Sequence, residues 1–118
     1  DLDALGNVYF DLNSSYLNSQ TKETLNKLVE ILNANESLVL KVSSYTDSRG
    51  ADSYNQWLSE RRVNSTITYL VQKGIVKERL EAHANGENDL LNECDNNTYC
   101  PDSKHKINRR SEFSIMNL

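Results

Sequence analysis

The sequence has no long hydrophobic run. Its apolar stretches are only a few residues each, far below the roughly 20 that a membrane-crossing helix needs. It has two histidines and two cysteines and no His/Asp/Glu cluster at metal-ligand spacing. A zinc hydrolase or an activated-nucleophile enzyme would need such groups, so the sequence points away from catalysis and from a cofactor or metal. Basic residues are not in excess. Thirteen Lys and Arg stand against seventeen Asp and Glu, a net charge of −4. Nucleic-acid binding needs a basic face for phosphate contacts, so it is disfavoured. No internal repeat or low-complexity tract interrupts the chain. No signal peptide is visible, and Asp1 reads as the start of a mature fragment; any targeting information was removed or lies upstream.

What is present fits one globular domain spanning residues 1–118. The chain is 37% hydrophobic and 25% charged, a composition that supports a core and argues against disorder. Asn7 to Asp11 reads as a first strand, rich in β-formers. Ser19 or Thr21 can cap a helix from about Thr21 to Asn35, with Leu25, Leu28, Val29 and Leu32 at helical spacing. Leu38 to Tyr45 alternates as a second strand. Asp52 to Lys73 reads as a long helix through Trp57, Leu58, Val63, Ile67, Leu70 and Val71. Gly74 is its left-handed C-cap, with Ile75 beyond it. Arg79 to Gly86 gives a third strand. Glu87 to Lys106 is a loop-like insert with a helical turn at most, and Arg110 to Leu118 is the last strand. Strands alternating with two helices predict a layered α/β sandwich.

The most informative stretch is Thr46-Asp47-Ser48-Arg49-Gly50, followed by Asn55, Leu58-Ser59 and Arg62. It places an acid, a turn glycine, an amide and a guanidinium where a strand hands over to a helix. Free N–H groups and the positive end of a helix dipole gather there. Asn55, Ser59 and Arg62 are four and three residues apart and share a helix face. One carboxylate, one guanidinium and free N–H groups suit a zwitterion, such as an amino-acid end group. Taken alone, Asp47 would read as an Asx-turn residue, and Arg61 and Arg62 as surface side chains. Trp57 and Leu58 read as packing residues rather than a sugar platform. Neither His83 nor His105 carries a functional signal.

Cys94 and Cys100 flank a polar, turn-rich stretch that cannot bury a core of its own. Free thiols or half of a metal site are the alternatives, but only His83 and His105 remain as further zinc ligands. A local disulfide is the preferred pairing, which implies an oxidising compartment.

Four motifs together resemble the OmpA-like domain, the peptidoglycan-binding module also found in MotB and in peptidoglycan-associated lipoproteins. They are Tyr9-Phe10-Asp11, Thr46 to Gly50, Asn55 to Arg62, and Asn108-Arg109-Arg110-Ser111-Glu112-Phe113. They occur in the family's order over nearly the whole chain. The resemblance implies a mixed sheet, βαβαβ followed by a last strand, with two main helices on one face. It implies that Asp47 and Arg62 hold the diaminopimelate residue of a peptidoglycan stem peptide. Asp47 would accept from the ligand ammonium, and Arg62 would donate a fork to its carboxylate. Asn55 would bridge donor and acceptor groups. Backbone groups of Phe10 and Asp11 would line the groove, although Asp11 reads equally well as a turn residue. Arg49, where the family varies, joins the ligand set. Arg109 or Arg110 would complete the far wall, with Asn108 orienting that loop; physics alone does not choose between the arginines. Val63 departs from the family's usual alanine, and the cysteine loop is a second departure.

The function implied is non-covalent anchoring of an outer-membrane protein to the cell wall. The domain would lie in the periplasm, attached through an upstream region, without inserting into the membrane itself; a homo-oligomer is compatible with this. The rivals are a protein-interaction domain that kept the fold and lost the ligand, and a cell-wall hydrolase.

Overall fold

The computed structural model describes residues 2–117. Asp1 and Leu118, the expected mature start and the end of the expected last strand, lie outside the described residues. In chain order the elements are α1 (Leu2–Leu5), β1 (Val8–Tyr9), α2 (Ser19–Ala34), β2 (Leu40–Ser44), α3 (Asp52–Gln72), β3 (Leu80–Ala84), α4 (Asp102–His105) and β4 (Arg110–Ile115). Short 3-10 turns occupy Lys77–Arg79 and Lys106–Asn108. The strands form one sheet in the order β1-β4-β2-β3. β2 and β3 run parallel, Leu40 beside Leu80, so a crossover must join them, and α3 provides it. β4 inserts antiparallel between β1 and β2, with Ser111 opposite both Val8 and Ser44. This is the expected βαβαβ plus last strand, in a mixed sheet carrying two long helices.

Leu25, Leu28 and Leu32 recur along one face of α2 and are fully buried. They join Val63 and Leu70 of α3, Val8 of β1, and Leu40 and Val42 of β2 in a single core. Each leucine buried this completely contributes about 2 kcal/mol. α2 begins two residues earlier than the sequence suggests. Its cap is Asn18, whose Oδ1 accepts from the Thr21 N–H at 2.8 Å, rather than Ser19 or Thr21. Asn18 is the residue with extended backbone (φ −75, ψ 175), which is what a capping side chain requires.

The buried stripe of α3 changes character along its length. Asn55, Leu58, Ser59 and Arg62 are buried in its first half, and Val63, Thr66 and Leu70 in its second. The first half is therefore mostly polar where it is buried, and the second half brings Val63 and Leu70 into the core. This corrects the expected apolar stripe: Trp57 is 49% exposed and Val71 41%. Counting apolar residues alone rotated the stripe toward Trp57, because part of the true stripe is polar. At the other end Gly74 takes φ +101. Its N–H donates to the Val71 carbonyl and the Ile75 N–H to the Leu70 carbonyl, at 3.0 and 3.1 Å. That is a Schellman closure with buried Ile75 as its apolar contact.

The insert contains α4 and the disulfide Cys94–Cys100. Asn108, fully buried, ties it to the sheet: its Oδ1 accepts from the Leu91 N–H at 2.7 Å, and its Nδ2 donates to Asn92 Oδ1 at 3.0 Å.

Candidate ligand groove

The end of β2 and the start of α3 enclose a groove of about 270 Å³, with Leu12, Asn13 and Arg109 on the opposite side. Asp47, Arg49, Tyr54, Asn55 and Arg62 line it with them. Arg62 forms its floor. The guanidinium is fully buried, and three of its five N–H groups donate to backbone carbonyls. Nε reaches Ser14 at 2.8 Å, Nη1 reaches Tyr45 at 3.0 Å and Nη2 reaches Asp11 at 2.9 Å. Its Cζ lies 5.1 Å from the Phe10 ring centroid. Burial, and then repulsion from Arg109, pull its pKa down to about 10, which leaves it charged at neutral pH. The carbonyl cage fixes the orientation of the guanidinium and leaves two of its N–H groups without an acceptor among the described residues.

Asp47 is nearly excluded from solvent. Oδ1 accepts from the Arg49 backbone N–H at 3.0 Å. Oδ2 accepts from Arg49 Nη2 at 2.8 Å and from Arg109 Nη1 at 3.2 Å. Burial pushes its carboxyl up, but bonds from Arg49 and then Arg109 outweigh that and hold it below the usual carboxylate value. Arg62 is not among the direct partners of Asp47, because its N–H groups are turned to the carbonyls. Asn55, also buried, donates through Nδ2 to Glu87 Oε1 at 3.2 Å. Burial, and then a hydrogen bond to Asp52, raise the Glu87 carboxyl. Tyr54 Oη donates to Asn13 Oδ1 at 3.2 Å and closes one rim.

The remaining expected site residues divide. Arg109 reaches the groove: its Nε donates to the Phe10 carbonyl at 2.8 Å, and its Nη1 to Asp47. Arg110 is equally buried but is not among the groove's lining residues. Its guanidinium stacks on Tyr45 at 3.8 Å and bonds Glu112 Oε2 at 2.7 Å and the Asp89 carbonyl at 3.0 Å. Arg109 ends the 3-10 turn, with φ −86 and ψ 81, whereas Arg110 is the first residue of β4, and the change of backbone direction between them separates the pair. Phe10 and Asp11 do not line the groove with backbone groups as expected; their carbonyls hold Arg109 and Arg62 from behind. Trp57 is a surface residue with Arg61 over its ring at 5.0 Å, not a core residue. His83 pairs with Glu81 at 2.7 Å on β3 and His105 is buried in α4, and neither lines the groove.

Sequence reasoning missed Leu12, Asn13 and Tyr54, which neighbour the motif residues. It also missed Asp102, which binds both Arg49 and Arg109 at 2.9 Å. These two arginines, Arg109 first, pull the Asp102 carboxyl down to about 2. No local pattern in the insert marks it. Among the described residues no three His, Cys, Asp or Glu side chains are grouped to hold a metal ion, and no helix is long and apolar enough to cross a membrane.

The chain belongs to the OmpA family, whose model matches residues 9–101. It is 39% identical over 88 residues to outer membrane protein A of Serratia marcescens, covering 71% of this chain and 24% of that protein. With outer membrane protein A of Escherichia fergusonii it shares 37% over 94 residues, covering 75% and 38%. The chain thus spans well under half the length of these relatives. The peptidoglycan-associated lipoprotein of Burkholderia pseudomallei has a similar structure, with a TM-score of 0.84 at 22% identity over 93% of this chain and 89% of that one. The C-terminal domain of Helicobacter pylori MotB gives 0.81 at 16% over 95% and 84%. At these identities the likeness is one of fold.

Proposed function

We propose that this domain binds peptidoglycan without covalent chemistry, through the zwitterionic end of the diaminopimelate residue of a stem peptide. The observation that carries the reading is the pairing of opposite charges in one groove. The Asp47 carboxylate and the fork of Arg62, fixed by three carbonyls, line the same space. A ligand ammonium would sit on Asp47 and a ligand carboxylate on Arg62. Membership of the OmpA family and the fold shared with a peptidoglycan-associated lipoprotein support peptidoglycan as the partner. We place the domain in the periplasm, holding an outer-membrane protein to the wall, in line with the names of its relatives. Weak individual contacts suit an anchor that acts in many copies, since multivalency supplies the hold.

The rival of a domain that lost its ligand draws on one observation: Asp47 already has two arginine partners. Sedimentation of the purified chain with intact sacculi, in competition with free diaminopimelate, separates the two. Release by diaminopimelate supports the end-group reading. A chain that does not sediment with sacculi supports the rival, and binding that survives replacement of both Asp47 and Arg62 removes the end-group reading.

A further inference from the structure

Asp102 opens α4, just beyond Cys100 and Pro101. Its side chain is 59% exposed, yet it grips both cations that grip Asp47. Oδ1 accepts from Arg49 Nη2 and Arg109 Nη1, each at 2.9 Å, and Oδ2 lies 3.5 Å from Arg109 Nη2. The same Arg49 Nη2 and Arg109 Nη1 also donate to Asp47 Oδ2, at 2.8 and 3.2 Å. Two carboxylates therefore share two nitrogens. The segment carrying Asp102 is fastened in place. The disulfide Cys94–Cys100 closes it, Ser48 Oγ of the motif donates to the Cys94 carbonyl, and Asn108 holds Leu91 and Asn92.

The charge balance gives this arrangement a consequence. Asp47 alone against Arg49, Arg62 and Arg109 would leave the groove with two surplus positive charges; Asp102 reduces the surplus to one. A strongly cationic groove favours a plain anion. A zwitterion also needs an anionic pole with free acceptor capacity. Oδ2 of Asp47 already accepts from both arginines and Oδ1 only from the Arg49 backbone N–H, so the acceptor position left for an ammonium is on Oδ1. Without Asp102, Arg49 and Arg109 would be free to turn further onto Asp47 and cover it.

We propose that Asp102, delivered by the disulfide-closed loop, is a selectivity-determining residue of the groove. By sharing Arg49 and Arg109 it keeps Asp47 available to a ligand ammonium, so the site favours zwitterionic ends over purely anionic ones. This rests on the reading of the groove as an end-group site. Because Asp102 lies at the surface, Asp102→Asn is expected to melt like the wild type.

The test is calorimetric titration of the chain with diaminopimelate and with its doubly N-acetylated form, which keeps both carboxylates and loses both ammonium groups. The wild type should prefer the free amine. Asp102→Asn should lose about tenfold on the free amine and little on the acetylated ligand, so the preference falls. Cys94→Ser, which opens the loop, should move the preference the same way, and Asp102→Glu should retain most of it. An unchanged preference in Asp102→Asn, or an equal loss on both ligands, overturns the role of Asp102 and leaves the groove assignment standing. A wild type that binds neither ligand overturns the groove assignment, and this inference with it.

Discussion

Arg109 Nη1 lies 3.2 Å from Asp47 Oδ2, joining two nearly buried side chains across 62 residues of sequence. The bond closes β4 onto the end of β2 and makes one wall of the groove. Removing Arg109 leaves the buried Asp47 carboxylate with Arg49 alone, a lost charged hydrogen bond that costs about 1–3 kcal/mol. Arg109→Met should therefore lower the denaturation midpoint and weaken ligand binding together. Arg110→Met should lower stability, through loss of the Tyr45 stack and the Glu112 bond, while leaving affinity near wild type. Denaturant melts and titrations of both variants check this; a binding loss confined to Arg110→Met would reverse the assignment.

Asp47 sets an acid limit. Its folded pKa is depressed, so the stability it contributes is fully present above the unfolded value, about 3.9, and is lost as pH falls through the lower folded value. Ligand binding should persist through neutral pH and fail only in acid. Asp47→Asn keeps the turn but removes the anion, so it should bind poorly at pH 7 while staying folded. A titration beside a thermal melt of that variant decides; wild-type affinity would reduce Asp47 to a turn residue.

Arg62→Lys keeps the charge and loses the fork. One ammonium cannot span the carbonyls of Ser14, Tyr45 and Asp11 and also hold a carboxylate. Binding should weaken by about 1–3 kcal/mol, and unlike a surface change the variant should also melt lower. Arg61→Lys, on the exposed side of α3 over Trp57, should do little to either. Matching titration curves for the two variants would remove Arg62 from the site.

Gly86 lies where β3 meets α3, at φ +56. A Cβ there would meet Gln56 Oε1 at 3.2 Å and the Gln56 backbone at 3.4 Å. Its N–H donates to Ser59 Oγ at 2.9 Å, and its carbonyl accepts from Thr46 at 2.7 Å, so the backbone has little room to retreat. Gly86→Ala should cost about 1 kcal/mol or more through strain at positive φ. A thermal shift no larger than that of Gly6→Ala, where a Cβ would meet nothing within 4 Å, would count against this crowding.

The Cys94–Cys100 bridge predicts that unreduced protein is lighter than reduced protein by two hydrogens. Closing so short a loop contributes about 2 kcal/mol at most, so reduction should leave the core folded. Free alkylation of both thiols without reductant would reject the bridge.

The elements were legible because their signals are local. Leu25, Leu28 and Leu32 repeat at helical spacing, the residues from Leu40 to Ser44 read as a strand, and Gly74 marks a helix end. The chemistry of the groove was legible to the same extent: Asp47 precedes a helix start, and Asn55, Ser59 and Arg62 share a face of that helix. Tertiary structure decided the rest. Arg109 and Arg110 are neighbours in the chain, and only the way the 3-10 turn hands over to β4, seated between β1 and β2, determines which of them faces Asp47. Trp57 lies outside because half of the buried stripe of α3 is polar, and a hydrophobic count cannot see a polar stripe. Asp102 is 53 residues from Arg49. Helical and strand periodicities place side chains relative to their own element, whereas contacts between elements depend on how the sheet, helices and insert pack together.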